Sequence, residues 1–261
     1  MQRSPAVEAS RRFRPRPIPL SQPLHWLVRG ASDLIRNPLP GLLHGLVAAF
    51  FGLLLFMLAG RHFWLVAGAF SGFLMVAPLV ATGLYAVSRA MERGEPAGLR
   101  TALAVWNPRQ GRLVAFGLLL ALAGTGWVVT SGALIIGFAP SPVLGPEDFL
   151  HVVMLGDGWL FEAWLLLGGV LAAPVFASSV VAIPLLLDRD EPLPVAIYTS
   201  WRVVMEDPAP MAVWAGIIML LSVIGMATAL TGLVVILPWL AHASWHAYHD
   251  LVEPPSDDAR S

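Results

Sequence analysis

Three times along the chain an Asn-Pro or Asp-Pro pair opens a long apolar stretch: Asn37-Pro38, Asn107-Pro108 and Asp207-Pro208. A second apolar stretch follows each, with a glycine six residues before a proline, at Gly72/Pro78, Gly168/Pro174 and Gly232/Pro238. Each copy closes on Glu-Pro, at Glu95-Pro96, Glu191-Pro192 and Glu253-Pro254. A bilayer core of about 30 Å takes about 20 helical residues, and each of these stretches is of that order. Inside lipid a helix satisfies all its backbone groups within one segment. The punctuation therefore predicts an all-α, polytopic membrane bundle. Six transmembrane helices form three pseudo-repeated hairpins, joined by short interfacial helices.

Composition agrees with lipid as the solvent. Hydrophobic residues make up 57% of the chain and charged ones only 13%, against about 25% charged in soluble domains. The 24 glycines and 22 prolines fit membrane helices, which tolerate both better than soluble helices do. The expected spans are about 40–60, 63–87, 112–138, 160–187, 210–229 and 231–249. The stretch 210–241 would also serve as one long helix, but Gly232 and Pro238 match Gly72 and Pro78, which places a turn before Thr231-Gly232. The domain limits read as a disordered basic tail over 1–22, a transmembrane domain over 23–250 and a cytoplasmic tail over 251–261. The basic start looks like a secretory leader, but its basic region and first apolar run are too long, so a retained span is expected.

Charge placement sets the orientation. All sixteen basic residues are arginine, and fifteen of them fall before the first span, in the second and fourth connections, or in the C-terminal tail. Only Arg61 falls on the other side. Positive residues stay cytoplasmic, so both termini are expected there. Residues 23–36, 97–106 and 194–204 each carry apolar residues at helical spacing with polar ones opposite, the signature of a helix lying in the interface. Asn or Asp before proline suits an N-cap followed by the first helical turn.

Candidate sites are few. Pro78, Pro174 and Pro238 are expected to kink the even-numbered spans, and matched kinks in internal repeats are a pointer to transporter sites. His242, His246 and His249 follow one another at offsets of four and three, so they share one stripe of the sixth span. With His44, at comparable depth on the first span, they are candidate ligands for a metal or haem, set against plain histidines bonded to backbone or wetted at the headgroups. Glu162, Asp157, Asp148 and His151 gather acidic charge on the opposite face, as a weak cation site or an exposed loop. The chain has no cysteine, which removes disulfides, thiolate nucleophiles and Cys-bound metals. It carries no phosphate loop, metalloprotease helix or nucleophile elbow, so no catalytic residue is assigned and no cofactor is required. The expected partners are the lipid bilayer, other membrane proteins or further copies of the chain, and not nucleic acid.

Several short motifs resemble a bacterial family of predicted integral membrane proteins, domain-of-unknown-function family 2189. They are Asp33-Leu-Ile-Arg-Asn-Pro38, Gly72-Phe-Leu-Met-Val-Ala-Pro78, Gly83-Leu-Tyr85 leading to Ser88-Arg89 and Glu92-x-Gly94, Ser200-x-Arg202, and Trp214-x-Gly216. The resemblance covers roughly residues 25–250 and implies an inner-membrane protein of unknown activity. Some members carry a label naming cytochrome c oxidase subunit I. That role needs paired histidines for copper and further ones for haem, whereas this chain has no His-His and no His-x-His. The resemblance thus implies at most an accessory or assembly partner of such a complex. Scaffold or assembly factor, small-solute transporter or channel, and haem- or metal-binding accessory are the three readings.

Overall fold

The computed structural model describes residues 4–59, 81–105 and 111–253. In chain order the elements are α1 Pro5–Ser10, β1 Arg14–Pro15, α2 Gln22–Arg36, α3 Pro38–Ala59, α4 Thr82–Glu92, α5 Leu99–Ala104 and α6 Gly111–Phe138. A helical turn at Pro146–Asp148 runs into a π-helical turn, Phe149–Met154. Then come α7 Leu160–Ser179, α8 Ala182–Asp188, α9 Leu193–Glu206, α10 Pro208–Ala227, α11 Leu233–Leu251 and β2 Val252–Glu253. The fold is all-α, and four stretches are long and apolar enough to cross a membrane: Pro38–Leu55, Gly111–Phe138, Leu160–Asp188 and Pro208–Ala227. Of the six expected spans, most of the second falls on residues 60–80, outside the described ones. The sixth, on α11, is not among the four. Its second half carries His242 and His246, which are buried in protein, together with the partly buried Asp250 and the exposed His249.

Proline sets the helix boundaries. Asn37 has φ −140° and ψ 73°, Asp207 φ −125° and ψ 67°, and a new helix starts at the following proline in both cases. A residue before proline is pushed out of the α region, which is enough to end one helix and aim the next. Neither side chain caps as expected. Asn37 instead donates to the Ala97 carbonyl at 2.8 Å, and the Asp207 carboxylate accepts from the Ile18 amide at 3.1 Å. Asn107-Pro108 lies outside the described residues. The α10–α11 turn sits where expected, with Ala229 and Leu230 both at positive φ.

The chain divides into two compact units, Met1–Ala49, Pro78–Phe116 and Phe176–Ser261 in one, Phe50–Ala77 and Gly117–Val175 in the other. In the first, α11 packs chiefly along α2, with α4 against its other side. The stripe of α2 that reads as apolar is packed only in part: Leu34 is buried, but Val28 and Ile35 stay 70% and 78% exposed, while Trp26, Gly30 and Asp33 beside it are buried. An apolar stripe left outward suits a helix at the lipid boundary. Gly30 allows the contact with α11, since a Cβ there would lie 2.6 Å from the backbone nitrogen of Ala243.

The N-terminal stretch departs from expectation. Residues expected as a disordered tail carry α1 and β1, and β1 pairs antiparallel with β2. Phe13 is buried, and the Arg202 guanidinium donates to the carbonyls of Ser10 and Phe13 at 2.8 and 3.3 Å. A buried aromatic and filled carbonyls offset the entropy that composition alone would have left unopposed.

Pro238 lies inside α11 and Pro174 inside α7, whereas Pro78 is outside the described residues. The break in the fourth span falls later than Pro174, between Ser179 and Ala182. Without an N–H, Pro238 leaves the carbonyl of Val234 with no partner one turn on. Gly45 of α3 meets that very carbonyl: a Cβ on Gly45 would sit 2.1 Å from its oxygen. Gly41, one turn earlier, faces Pro238 itself, its Cβ position lying 3.0 Å from the proline Cβ. Gly41-x-x-x-Gly45 is therefore the close-approach face of α3, and it packs on the proline site of α11.

The second unit is built around Trp164. Its ring lies 5.5 Å from Trp127 and 5.3 Å from Phe149, and its indole N–H donates to Ser131 at 2.7 Å. Trp127 passes over Gly168, where a Cβ would be 3.2 Å from the ring. Ile135, Val143, Val153 and Leu160 fill the adjoining core.

Gly45→Ala should lower the thermal midpoint in detergent micelles. Alanine gains about 1 kcal/mol of helix propensity over glycine, but forced overpacking costs about 1–3 kcal/mol. A backbone oxygen at 2.1 Å leaves no soft neighbour to yield. A midpoint equal to or above wild type would refute the contact.

Candidate functional site

The polar residues of the first unit gather where α2, α4 and α11 meet. Asp33 is presented by the buried side of α2, Ser88 and Glu92 by α4, and His242, Trp245, His246 and His249 by α11. The Asp33 carboxylate accepts from the Ser88 hydroxyl at 2.7 Å and from Nε2 of His246 at 2.9 Å. Ser88 Oγ also lies 2.7 Å from Nδ1 of His242. The other ring nitrogen of His246 faces Glu92 Oε1 at 3.2 Å, within ion-pair range though off the line of a good hydrogen bond. Glu92 further accepts from the Trp245 indole at 2.9 Å and stands 3.5 Å from Nε2 of His249. Asp33, Ser88, His242 and His246 are buried, Glu92 is half-buried and His249 exposed.

Partner chemistry assigns the protons. A carboxylate only accepts, so the single Ser88 hydrogen points at Asp33, and the Ser88 oxygen takes the Nδ1–H of His242. His246 has a carboxylate at each ring nitrogen, an arrangement that pairs both only when both carry hydrogen. His44 sits beside the Pro40 carbonyl through Nδ1 at 2.7 Å, which makes Nδ1 its protonated nitrogen.

A second group of charges joins α2 to the end of α11. Asp250 accepts from Gln22 at 2.8 Å, the Trp26 indole at 2.9 Å and Arg29 at 3.0 and 3.1 Å. Burial works against ionisation of Asp250, but those three donors outweigh it and its pKa is lowered. Glu92 behaves alike: burial opposes its charge, His246 and Trp245 more than offset that, and the pKa falls. For Asp33 burial again opposes, and hydrogen bonds from His246 and Ser88 bring the net shift down.

Sequence spacing found part of this constellation. His242 and His246 do share a stripe and a neighbourhood, His44 lies near His242 from α3, and His249 is exposed. Among the described residues no group of three or more His, Asp or Glu is placed to hold a metal ion. The histidine nitrogens are mostly committed, Nδ1 of His242 to Ser88 and both of His246 to carboxylates. Asp33, Ser88 and Glu92 were missed as site residues. The available signal was an acid buried on an interfacial helix next to the Asn-Pro break. On the second unit, Asp148 is taken up by the amides of Leu144 and Gly145 at 2.8 and 3.0 Å. An open groove of about 500 Å³ runs along α2, lined by Leu27, Val28, Ala31, Ser32, Ile35, Arg36 and Trp239, and the Trp239 indole donates to the Leu27 carbonyl at 2.7 Å.

Four helical stretches long and apolar enough to cross a membrane, with many aliphatic side chains turned outward, are the features of an integral membrane protein. Residues 65–188 match the family model of the predicted integral membrane proteins of domain-of-unknown-function family 2189, which supports the resemblance carried by the motifs. No curated protein and no solved structure matches the chain.

The three lowered carboxylates set an acid limit on stability. Each ionises more easily in the fold than in the unfolded chain. Its contribution is complete above the unfolded value, about 4, and is lost as pH falls through the lower folded values. The thermal midpoint in micelles should decline as pH falls below about 4. Asp250→Ala should lower the neutral-pH midpoint, by about 1–3 kcal/mol from the buried Trp26 indole left unpaired. Arg29, 42% exposed, adds little because water screens it. An acid-insensitive wild type would contradict this account.

Proposed function

We propose that the protein is a non-catalytic accessory or assembly factor of a membrane complex in the bacterial inner membrane, with both termini in the cytoplasm. The observation that carries the topology is a set of ion pairs linking segments far apart in sequence. Arg12 pairs with Glu191, Arg16 with Glu253 at 3.3 Å, Arg93 with Asp188 at 3.0 Å and Arg112 with Asp190. These residues belong to the N-terminal arm, the second and fourth connections and the C-terminal end. Segments that touch lie on one side of the membrane, and the arginine excess there makes that side cytoplasmic.

The accessory role is supported by how the polar groups are used. In the described residues Asp33, Glu92, Asp188, Asp250 and His246 of the first unit all have partners within that unit, which leaves little for substrate chemistry. Much apolar surface is turned outward: Val47 and Phe50 on α3, Leu118 and Leu122 on α6, Leu166 on α7 and Met219 on α10 are all more than half exposed. Such faces suit lipid or the helices of other membrane proteins. A transporter or channel is the second reading, favoured by Pro238 one turn before the buried His242.

The absence of cysteine makes the topology directly testable. Ser21→Cys should react with a membrane-impermeant maleimide only after cells are opened, and Ser141→Cys should react in intact cells. The reverse pattern would overturn the orientation. For the role, deleting the chain should reduce the yield of at least one membrane complex on native gels, with crosslinks from the retained chain to that complex. Unchanged complexes together with no crosslinked membrane partner would overturn it.

A further inference from the structure

Among the described residues of the cluster, two buried histidine nitrogens lack a hydrogen-bond partner, Nδ1 of His246, which still faces Glu92 at 3.2 Å, and Nε2 of His242, which faces no carboxylate. His242 is fully buried, and its Nε2 has no hydrogen-bond partner. Leaving a buried acceptor unpaired is costly, and native structures keep few such groups. With Nδ1–H given to Ser88, Nε2 carries the bare lone pair of a neutral imidazole. It faces α3 at Gly41, where a Cβ would lie 3.7 Å from it. An unsatisfied base is thus held inside the unit, with a serine and a carboxylate directly behind it.

We propose that Nε2 of His242 is a proton-binding site within the bundle, with Ser88 and Asp33 as the path by which its charge is relieved. The balance is simple. A proton adds to Nε2; the Nδ1–H passes to Ser88 Oγ; the hydrogen already on Ser88 passes to Asp33 Oδ2. One proton has then moved from Nε2 to Asp33, and His242 is left neutral as its other tautomer. The two transfers cross the 2.7 Å contacts on either side of Ser88. Beyond Asp33, His246 and the half-buried Glu92 continue toward water. The charged or titratable groups around His242 are Asp33 from α2, His44 from α3 and His246 from its own helix, while α4 contributes the Ser88 hydroxyl. Asp33 is the only anion among them and lies on the Nδ1 side, so it favours a proton leaving by that route. This inference does not depend on the accessory role.

Nitrogen-15 NMR of histidine-labelled protein in phosphatidylethanolamine–phosphatidylglycerol nanodiscs tests it. At neutral pH His242 should show a protonated Nδ1 and a bare Nε2, and acidification should add a proton to Nε2 while the helical circular dichroism persists. Ser88→Ala should abolish the single-tautomer preference, and Ser88→Thr, which keeps the hydroxyl, should restore it. Two results would overturn the proposal: a hydrogen on Nε2 at neutral pH in wild type, or a bare Nε2 that stays unprotonated down to the pH of unfolding. The wild-type titration decides between them even if Ser88→Ala does not fold.

Discussion

Asp33 carries a negative charge into an apolar bundle, and three helices are placed so that this charge is answered. An unpaired carboxylate in such surroundings would be too costly to keep. Ser88 from α4 and His246 from α11 reach it at 2.7 and 2.9 Å, so the position of each helix is tied to the same oxygen, Oδ2. Glu92 then holds the far side of His246 at 3.2 Å, and Trp245 and Arg29 complete the surround of Glu92. Removing any one member exposes the others to the same cost, which is why a half-satisfied polar network is worse than none.

A second constraint is steric and works beside the first. Pro238 frees a carbonyl in α11, and α3 covers it with a glycine, so the backbones meet where side chains would keep them apart. Gly30 does the same for α2. Lipid supplies little hydrophobic force between helices, so close packing and polar contacts must hold them. The first unit uses both, with glycine contacts on α2 and α3 and hydrogen bonds reaching α11 from α2 and α4.

Much of the architecture was legible in the residues. The Asn37-Pro38 and Asp207-Pro208 breaks and the α10–α11 turn appear where the punctuation places them, because proline geometry is local. The partners of the site were not legible. Ser88 and His242 are 154 residues apart, and Asp33 and His246 are 213 apart, so no spacing rule could join them. Asp33 also reads as part of a solvated face on α2, since helical periodicity cannot tell a face turned to water from one turned to another helix. Aromatic residues are enriched at membrane interfaces, yet Tyr85, Trp214, Trp245 and Tyr248 are all buried. Tyr198, Trp201 and Trp159 stay exposed as a headgroup belt would have them. The N-terminal arm was hidden by its composition: five arginines in sixteen residues look unfoldable until Phe13 and the strand partner are in place.

That strand pairing orders the events of biosynthesis. Arg14–Pro15 can pair only with Val252–Glu253, which leave the ribosome after every described helix has been made. Until then the arm has only its earlier partners, Glu191 for Arg12, Arg202 for the Ser10 and Phe13 carbonyls, and Asp207 for the Ile18 amide. The two-residue sheet is therefore the last of the arm's contacts to become possible as the chain is made.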